Sequence, residues 1–224
     1  KESSAASDVY KRQPRDPHVA VRAPTMRSIM TNTLEPLTAT TISRLRVPEL
    51  DELPDELRAQ LESLGNQLGY IPNWARAFSL GGAHAARFND YILGLLDPNG
   101  GLLPYVDREI LATVTSAENK CSYCRLNHAG HLGAALGDNK LGTRIAIDFR
   151  EVRELSPRHR ILARFASKLS LHPGEVDDAD IDELRDLGLS DEEIFEAVHV
   201  ISAFAAANRF SIFLQVTPDD QFFN

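Results

Sequence analysis

An all-α fold is predicted for this chain by three observations. Leucines recur at helix spacing, as in Leu57, Leu61, Leu64 and Leu68. Helix starts are marked by capping residues, such as Ser156 before Pro157 and Ser190 with Glu193 three residues on. No stretch alternates apolar and polar residues for long enough to make a strand. The expectation is an oligomeric helical bundle of about eight helices with short loops.

The elements follow in order. Residues 1–35 are rich in Ser, Thr, Pro, Arg and Ala without periodicity, and read as a disordered or non-native leader. The chain opens without Met, so Met26 or Met30 is the expected native start. Residues 36–224 are expected to form one helical domain. In its first helix Pro54 fits the first position, and Asp55 and Glu56 suit the positive N-terminal end. Gly65 or Gly69 stops it. Two more helices break at Gly81-Gly82 and end at Pro98-Asn99-Gly100-Gly101, a strong turn signal. The next runs from Leu103 to about Ala117, and another from Cys121 to Gly137. Ser156 and Pro157 open a helix over "LSPRHRILARFASKLSL", and "DDADIDELRDLG" forms one ending at Gly188. Ser190 and Glu193 make a capping box for a long apolar helix from Asp191 to about Val216. No repeat of solenoid period is present.

Composition narrows the function. The net charge of −8 argues against a nucleic-acid partner, because a phosphate backbone needs a basic footprint. No apolar run reaches the roughly 18 residues of a membrane span, and no secretory h-region precedes the fold. The chain has 2 cysteines, too few for a disulfide framework at this length. A reducing compartment, most simply the cytoplasm, is expected, where the pair points to redox or metal chemistry.

Those two residues, Cys121 and Cys124, are followed by His128 and His131. Buried thiols without chemistry, a zinc site and a redox dithiol are the three readings. Zinc holds its donors at about 2.0–2.3 Å, so all four would have to converge. A continuous helix separates positions 121 and 131 by roughly 15 Å at about 1.5 Å per residue, which disfavours zinc. The redox reading uses the same geometry better. Residues three apart on a helix have Cβ atoms about 5–6 Å apart, within reach of a disulfide. His128 lies one turn after Cys124 and can take its proton or stabilise its thiolate. Helix-dipole stabilisation favours Cys121 as the thiolate if Asn119 caps the helix, whereas the histidine favours Cys124. Spacing leaves that choice open and leans to Cys124. Glu109 shares a small-residue stripe with Ala112, Thr113 and Ser116. It lies roughly 18 Å from Cys121 along an unbroken helix, so it joins the thiols only if the chain turns back near Glu118-Asn119-Lys120.

The quartet Glu109, Cys121, Cys124 and His128 resembles the proton-relay motif of alkylhydroperoxidase D-like proteins. These lie in the carboxymuconolactone decarboxylase family, and the likeness is to the peroxidase-related branch. It extends from about Leu45 to Phe213 through "LPDEL", "LGYIPN", "LSPRHRILARFASKL", "GLSDEEIFEAVHV" and the late "NRF". The resemblance implies an all-helical homo-oligomer and a cysteine-based peroxidase that needs no cofactor. Its substrate would be a hydroperoxide and its reductant a dithiol, lipoyl-bearing or thioredoxin-like. By that analogy Cys124 is oxidised to the sulfenic acid, Cys121 resolves it, and Glu109 with His128 relays protons. Decarboxylases of the wider family lack the paired cysteines, so that activity does not transfer. The rival readings are a disulfide reductase or redox sensor on the same dithiol, and a non-catalytic helical oligomer.

Other residues read as structural. His131 is an ordinary helix-face histidine, His199 a core histidine, and Trp74, Phe78 and Tyr91 packing residues. Asn208 and Arg209 interrupt an apolar run and are expected at a subunit interface or a pocket mouth. The apolarity of the last helix all round suggests that another subunit covers it. The acidic run from Glu175 to Asp186 reads as a solvated helix face.

Overall fold

A computed structural model describes residues 42–223. The expected leader over 1–35, and the boundary near residue 36, lie outside the described residues. Nine α-helices and no strands occur among the described residues: α1 Asp55–Leu68, α2 Asn73–Phe78, α3 Ala83–Leu95, α4 Tyr105–Glu118, α5 Ser122–Leu136, α6 Asn139–Asp148, α7 Pro157–Leu171, α8 Asp178–Asp186 and α9 Asp191–Leu214. The all-α expectation is met.

The helix that the sequence reading lacks is α6. Its sequence, NKLGTRIAID, carries Gly142, Thr143 and two isoleucines, which are weak helix formers. Tertiary contact holds it. Asp138 caps it by accepting from the Leu141 amide at 3.0 Å. Gly142 lies against α5 so closely that a Cβ there would sit 2.5 Å from the Ala129 carbonyl oxygen and 2.6 Å from the Gly133 nitrogen. The other boundaries follow the punctuation. Gly69 rather than Gly65 ends α1, and its amide donates to the Gly65 carbonyl. The break at Gly81-Gly82, the stop at Gly137 and the capping box of Ser190 with Glu193 all occur.

The centre of the fold is α4. Residues Asp107 to Ser116 are buried without interruption, and α5, α6, α7 and α9 pack around them. Burying side chains such as Ile110, Leu111 and Val114 contributes roughly 1.5–3 kcal/mol each. Three consecutive charged residues share this interior, which is tolerable only if each is partnered. Asp107 accepts from Arg158 and lies 3.3 Å from His159 Nε2. The Arg108 guanidinium donates to the carbonyls of Leu95, Asp97, Gly100 and Leu103, and so staples the loop before α4. Glu109 is taken up below.

The long helix α9 is buried along one side and exposes Phe195 (62%) and Phe213 (60%) on the other. By length and composition it could cross a membrane, which corrects the expectation that no stretch is long and apolar enough. Half of its apolar window is packed inside the fold.

Candidate active site

One turn of backbone builds the site. After α4 the chain enters the left-handed region at Lys120, with φ 59°. The Lys120 amide donates to the Ala117 carbonyl and the Cys121 amide to the Ser116 carbonyl, each at 3.0 Å. This paired closure ends the helix and satisfies carbonyls that would otherwise be orphaned. The chain then reverses into α5, which packs back along α4. Glu109, nine residues before the end of α4, therefore meets His128, six residues after the start of α5. The expected turn at Glu118-Asn119-Lys120 is present.

Cys121 itself caps α5, not Asn119 as the sequence argument supposed; Asn119 closes α4 instead. The Cys121 sulfur accepts from the Cys124 amide at 3.3 Å. The Cys124 thiol lies 3.5 Å from the Ser211 hydroxyl of α9. Both cysteines are free and buried, Cys121 1% and Cys124 6% exposed. The bond from Cys124 lowers the Cys121 thiol against the opposing effect of burial, with further help from the Cys124 amide, Ser211 and Asn208. The same bond, then burial and the Cys121 charge, push Cys124 well up. The pair thus favours one proton, held on Cys124, with the negative charge on Cys121 at the helix N-terminus.

The Glu109 carboxyl has no exposed surface. His128 Nδ1 donates to its Oε2 at 3.0 Å, and the Tyr105 hydroxyl donates to its Oε1 at 2.9 Å. His131 Nδ1 lies 3.6 Å from the same Oε1. Burial works to raise this carboxyl, but the charge and hydrogen bond of His128, with those of His131, outweigh it and hold the group down to about 2. Hydrogen bonding to Glu109 raises His131 in turn, against burial. Both burial and the neighbouring Glu109 charge push Tyr105 upward. The Phe204 ring packs edge-on against His128 with centroids 4.5 Å apart.

All four expected residues therefore fall in one region, in two directly bonded groups: Glu109 with His128, and Cys121 with Cys124. Among the described residues no hydrogen bond joins the first group to either sulfur. Their link is the single turn of α5 from Cys124 to His128.

Other readings change. His131 is a member of the carboxylate cluster, not an ordinary surface histidine. Asn208 is fully buried, donates to Ser116 Oγ at 3.1 Å and accepts from Asn119 Nδ2 at 3.0 Å. It belongs to the wall of the site, while Arg209 is exposed and donates to the Ala205 carbonyl of its own helix. His199 is half-buried rather than core, with its Nδ1 2.5 Å from the Tyr91 hydroxyl. Phe78 packs in the same apolar cluster as both cysteines, with Trp74 against it. The sequence reading missed Ser211 and Tyr105. The first was signalled by a polar residue three after Asn208 in an apolar run, the second by its place one turn before Glu109.

The arrangement can hold a thiolate, store a proton beside it and close a disulfide. No protein-family model and no curated protein matches the sequence. Solved structures do. An uncharacterised peroxidase-related protein with an alkylhydroperoxidase AhpD core, from Ralstonia eutropha JMP134, is similar with TM-score 0.77 and 29% identity, covering 83% of this chain and 96% of that one. An uncharacterised peroxidase-related protein from Silicibacter sp. TM1040 is similar with TM-score 0.75 and 28% identity, covering 84% and 97%. The debrominase Bmp8 has TM-score 0.65 at 17% identity, covering 82% and 95%, and shares the fold alone.

Proposed function

We propose that this chain, which is similar in fold and sequence to alkylhydroperoxidase D-like, peroxidase-related proteins, is a thiol-dependent peroxidase working through Cys121 and Cys124. The observation that carries this reading is the pair of linked groups on α5: a cysteine couple at the helix start and, one turn on, His128 bound to the buried Glu109.

Cys124, the less buried of the two residues, attacks the distal oxygen of a hydroperoxide. Its proton passes to Cys121, which the helix start equips as the acceptor. The alkoxide leaves with the proton from Cys121, which becomes a thiolate again. That thiolate attacks the Cys124 sulfenic acid and forms the disulfide, and the hydroxide it displaces leaves as water with a proton supplied from the His128–Glu109 pair. A dithiol, lipoyl-bearing or thioredoxin-like, restores the pair by exchange. The His128–Glu109 pair one turn from the thiols can supply the proton that cleavage of a peroxide bond needs, which favours this reading over a disulfide reductase. A homo-oligomer covering the exposed Phe195 and Phe213 face of α9, in a compartment that keeps the thiols reduced, completes the proposal.

Turnover of tert-butyl hydroperoxide with dithiothreitol is the test. Cys124→Ser is expected to abolish it, and unchanged turnover in that variant would remove the mechanism.

A further inference from the structure

The two oxygens of Glu109 face different surroundings. Oε2 meets His128 Nδ1 in the interior. Oε1 meets the Tyr105 hydroxyl at 2.9 Å, and that hydroxyl lies 3.5 Å from His131 Nδ1. The His131 side chain is 51% exposed while Glu109 is sealed from solvent. The groups therefore form a line from solvent through His131 to Glu109 Oε1, directly at 3.6 Å or by way of the Tyr105 hydroxyl, and on through Oε2 to His128. A tyrosine hydroxyl accepts and donates at once, so it passes a proton without becoming a phenolate. A carboxylate can likewise take a proton on one oxygen and release it from the other.

The proposed reaction needs such a line. Starting from one thiolate and one thiol, the balance is thiolate + thiol + ROOH + H⁺ → disulfide + ROH + H₂O. The two sulfurs supply one proton and the products need one more, so each oxidation imports a proton into a site whose sulfurs are buried. We propose, resting on the peroxidase reading, that His131 is the proton port of the site and that Tyr105 is the relay coupling it to Glu109. The charged and titratable groups at this end are Tyr105 and Glu109 of α4, with the Arg108 guanidinium 5.8 Å from the Tyr105 ring centre, and His128 and His131 of α5. From α9 the group facing His128 is the uncharged Phe204.

The test is single-turnover oxidation of the reduced full chain by tert-butyl hydroperoxide across pH 5–9. The sole tryptophan, Trp74, packs against the cluster holding both cysteines and serves as the fluorescence readout. His131→Ala and Tyr105→Phe are each expected to slow oxidation about tenfold at neutral pH, at the lower end of general acid–base effects. Added imidazole should restore His131→Ala, because the lost ring is on the surface, but not Tyr105→Phe. Wild-type rates and pH profiles in both variants would overturn the port and leave the dithiol mechanism standing. So would a slow His131→Ala that imidazole fails to rescue, which is the mark of a structural role. Oxidation at the wild-type rate in Cys124→Ser would overturn the peroxidase reading, and the port with it.

Discussion

The backbone N–H of Cys124 donates to the sulfur of Cys121 at 3.3 Å, so one cysteine caps the helix that carries the other. Redox state and helix stability are thereby coupled, because a disulfide removes the negative charge of the Cys121 thiolate and weakens the sulfur as an acceptor at the helix start.

Replacements of Cys121 should separate these two roles. Ser retains a capping oxygen, while Ala does not. Cys121→Ala should lose about 1 kcal/mol relative to Cys121→Ser, measured as a shift in the urea midpoint of reduced protein. Both variants should be unable to form the disulfide. Equal stability of the two would deny Cys121 its capping role.

Ser211 should tune the thiols. Its hydrogen bonds lower both cysteines. Ser211→Ala is expected to move the thiolate transition to higher pH, followed by absorbance at 240 nm or by the pH dependence of iodoacetamide alkylation. A transition left in place would mean that the contact is too weak to matter.

Glu109 links stability to pH. Its folded value, about 2, is depressed from 4.5. A depressed carboxylate contributes stability that is present above its unfolded value and is lost as pH falls toward the folded one. His131 is raised, so its contribution is present below its ordinary value of 6.5 and is lost as pH climbs through the folded one. Glu109→Gln should therefore cost on the order of 3 kcal/mol near neutral pH. The gap from the wild-type chain should narrow below pH 4.5 and again on the alkaline side. Urea titrations at stepped pH give the profile, and a gap constant with pH would contradict the pairing.

Lys120 has φ 59° without being glycine. A Cβ in that region costs roughly 1–2 kcal/mol. Lys120→Gly should raise stability by up to about 1 kcal/mol, offset in part by greater unfolded-state freedom. Thermal unfolding would register it, and peroxide turnover should not change.

Gly142 tests the helix that the sequence reading lacked. A methyl at that position meets backbone atoms of α5 at 2.5–2.8 Å, which cannot yield as a side chain can. Gly142→Ala is expected to destabilise by about 1–3 kcal/mol despite alanine's better helix propensity. A stabilised variant would show that α6 is held by propensity rather than by its contact with α5.

Local signals in the chain were sufficient for most of the fold. Leucine spacing, Ser190 with Glu193, and the glycines at 69, 82 and 137 located their helices because caps and left-handed stops act within a few residues. They failed at α6, whose composition is poor and whose stability comes from α5. The quartet of Glu109, Cys121, Cys124 and His128 was legible because its spacing fits two helices and a turn.

What the sequence determined by itself was the all-α class, the reversal near Lys120 and the candidate quartet of Glu109, Cys121, Cys124 and His128. Only the tertiary structure decided that Cys121 rather than Asn119 caps α5, that Ser211 and Asn208 reach the thiols from α9, and that Tyr105 and His131 complete the Glu109 cluster. The reason is range. Caps and periodicity depend on neighbours along the chain, whereas the charge of a buried carboxyl or thiol depends on whichever groups the folded chain brings within about 3–4 Å, at any separation in sequence.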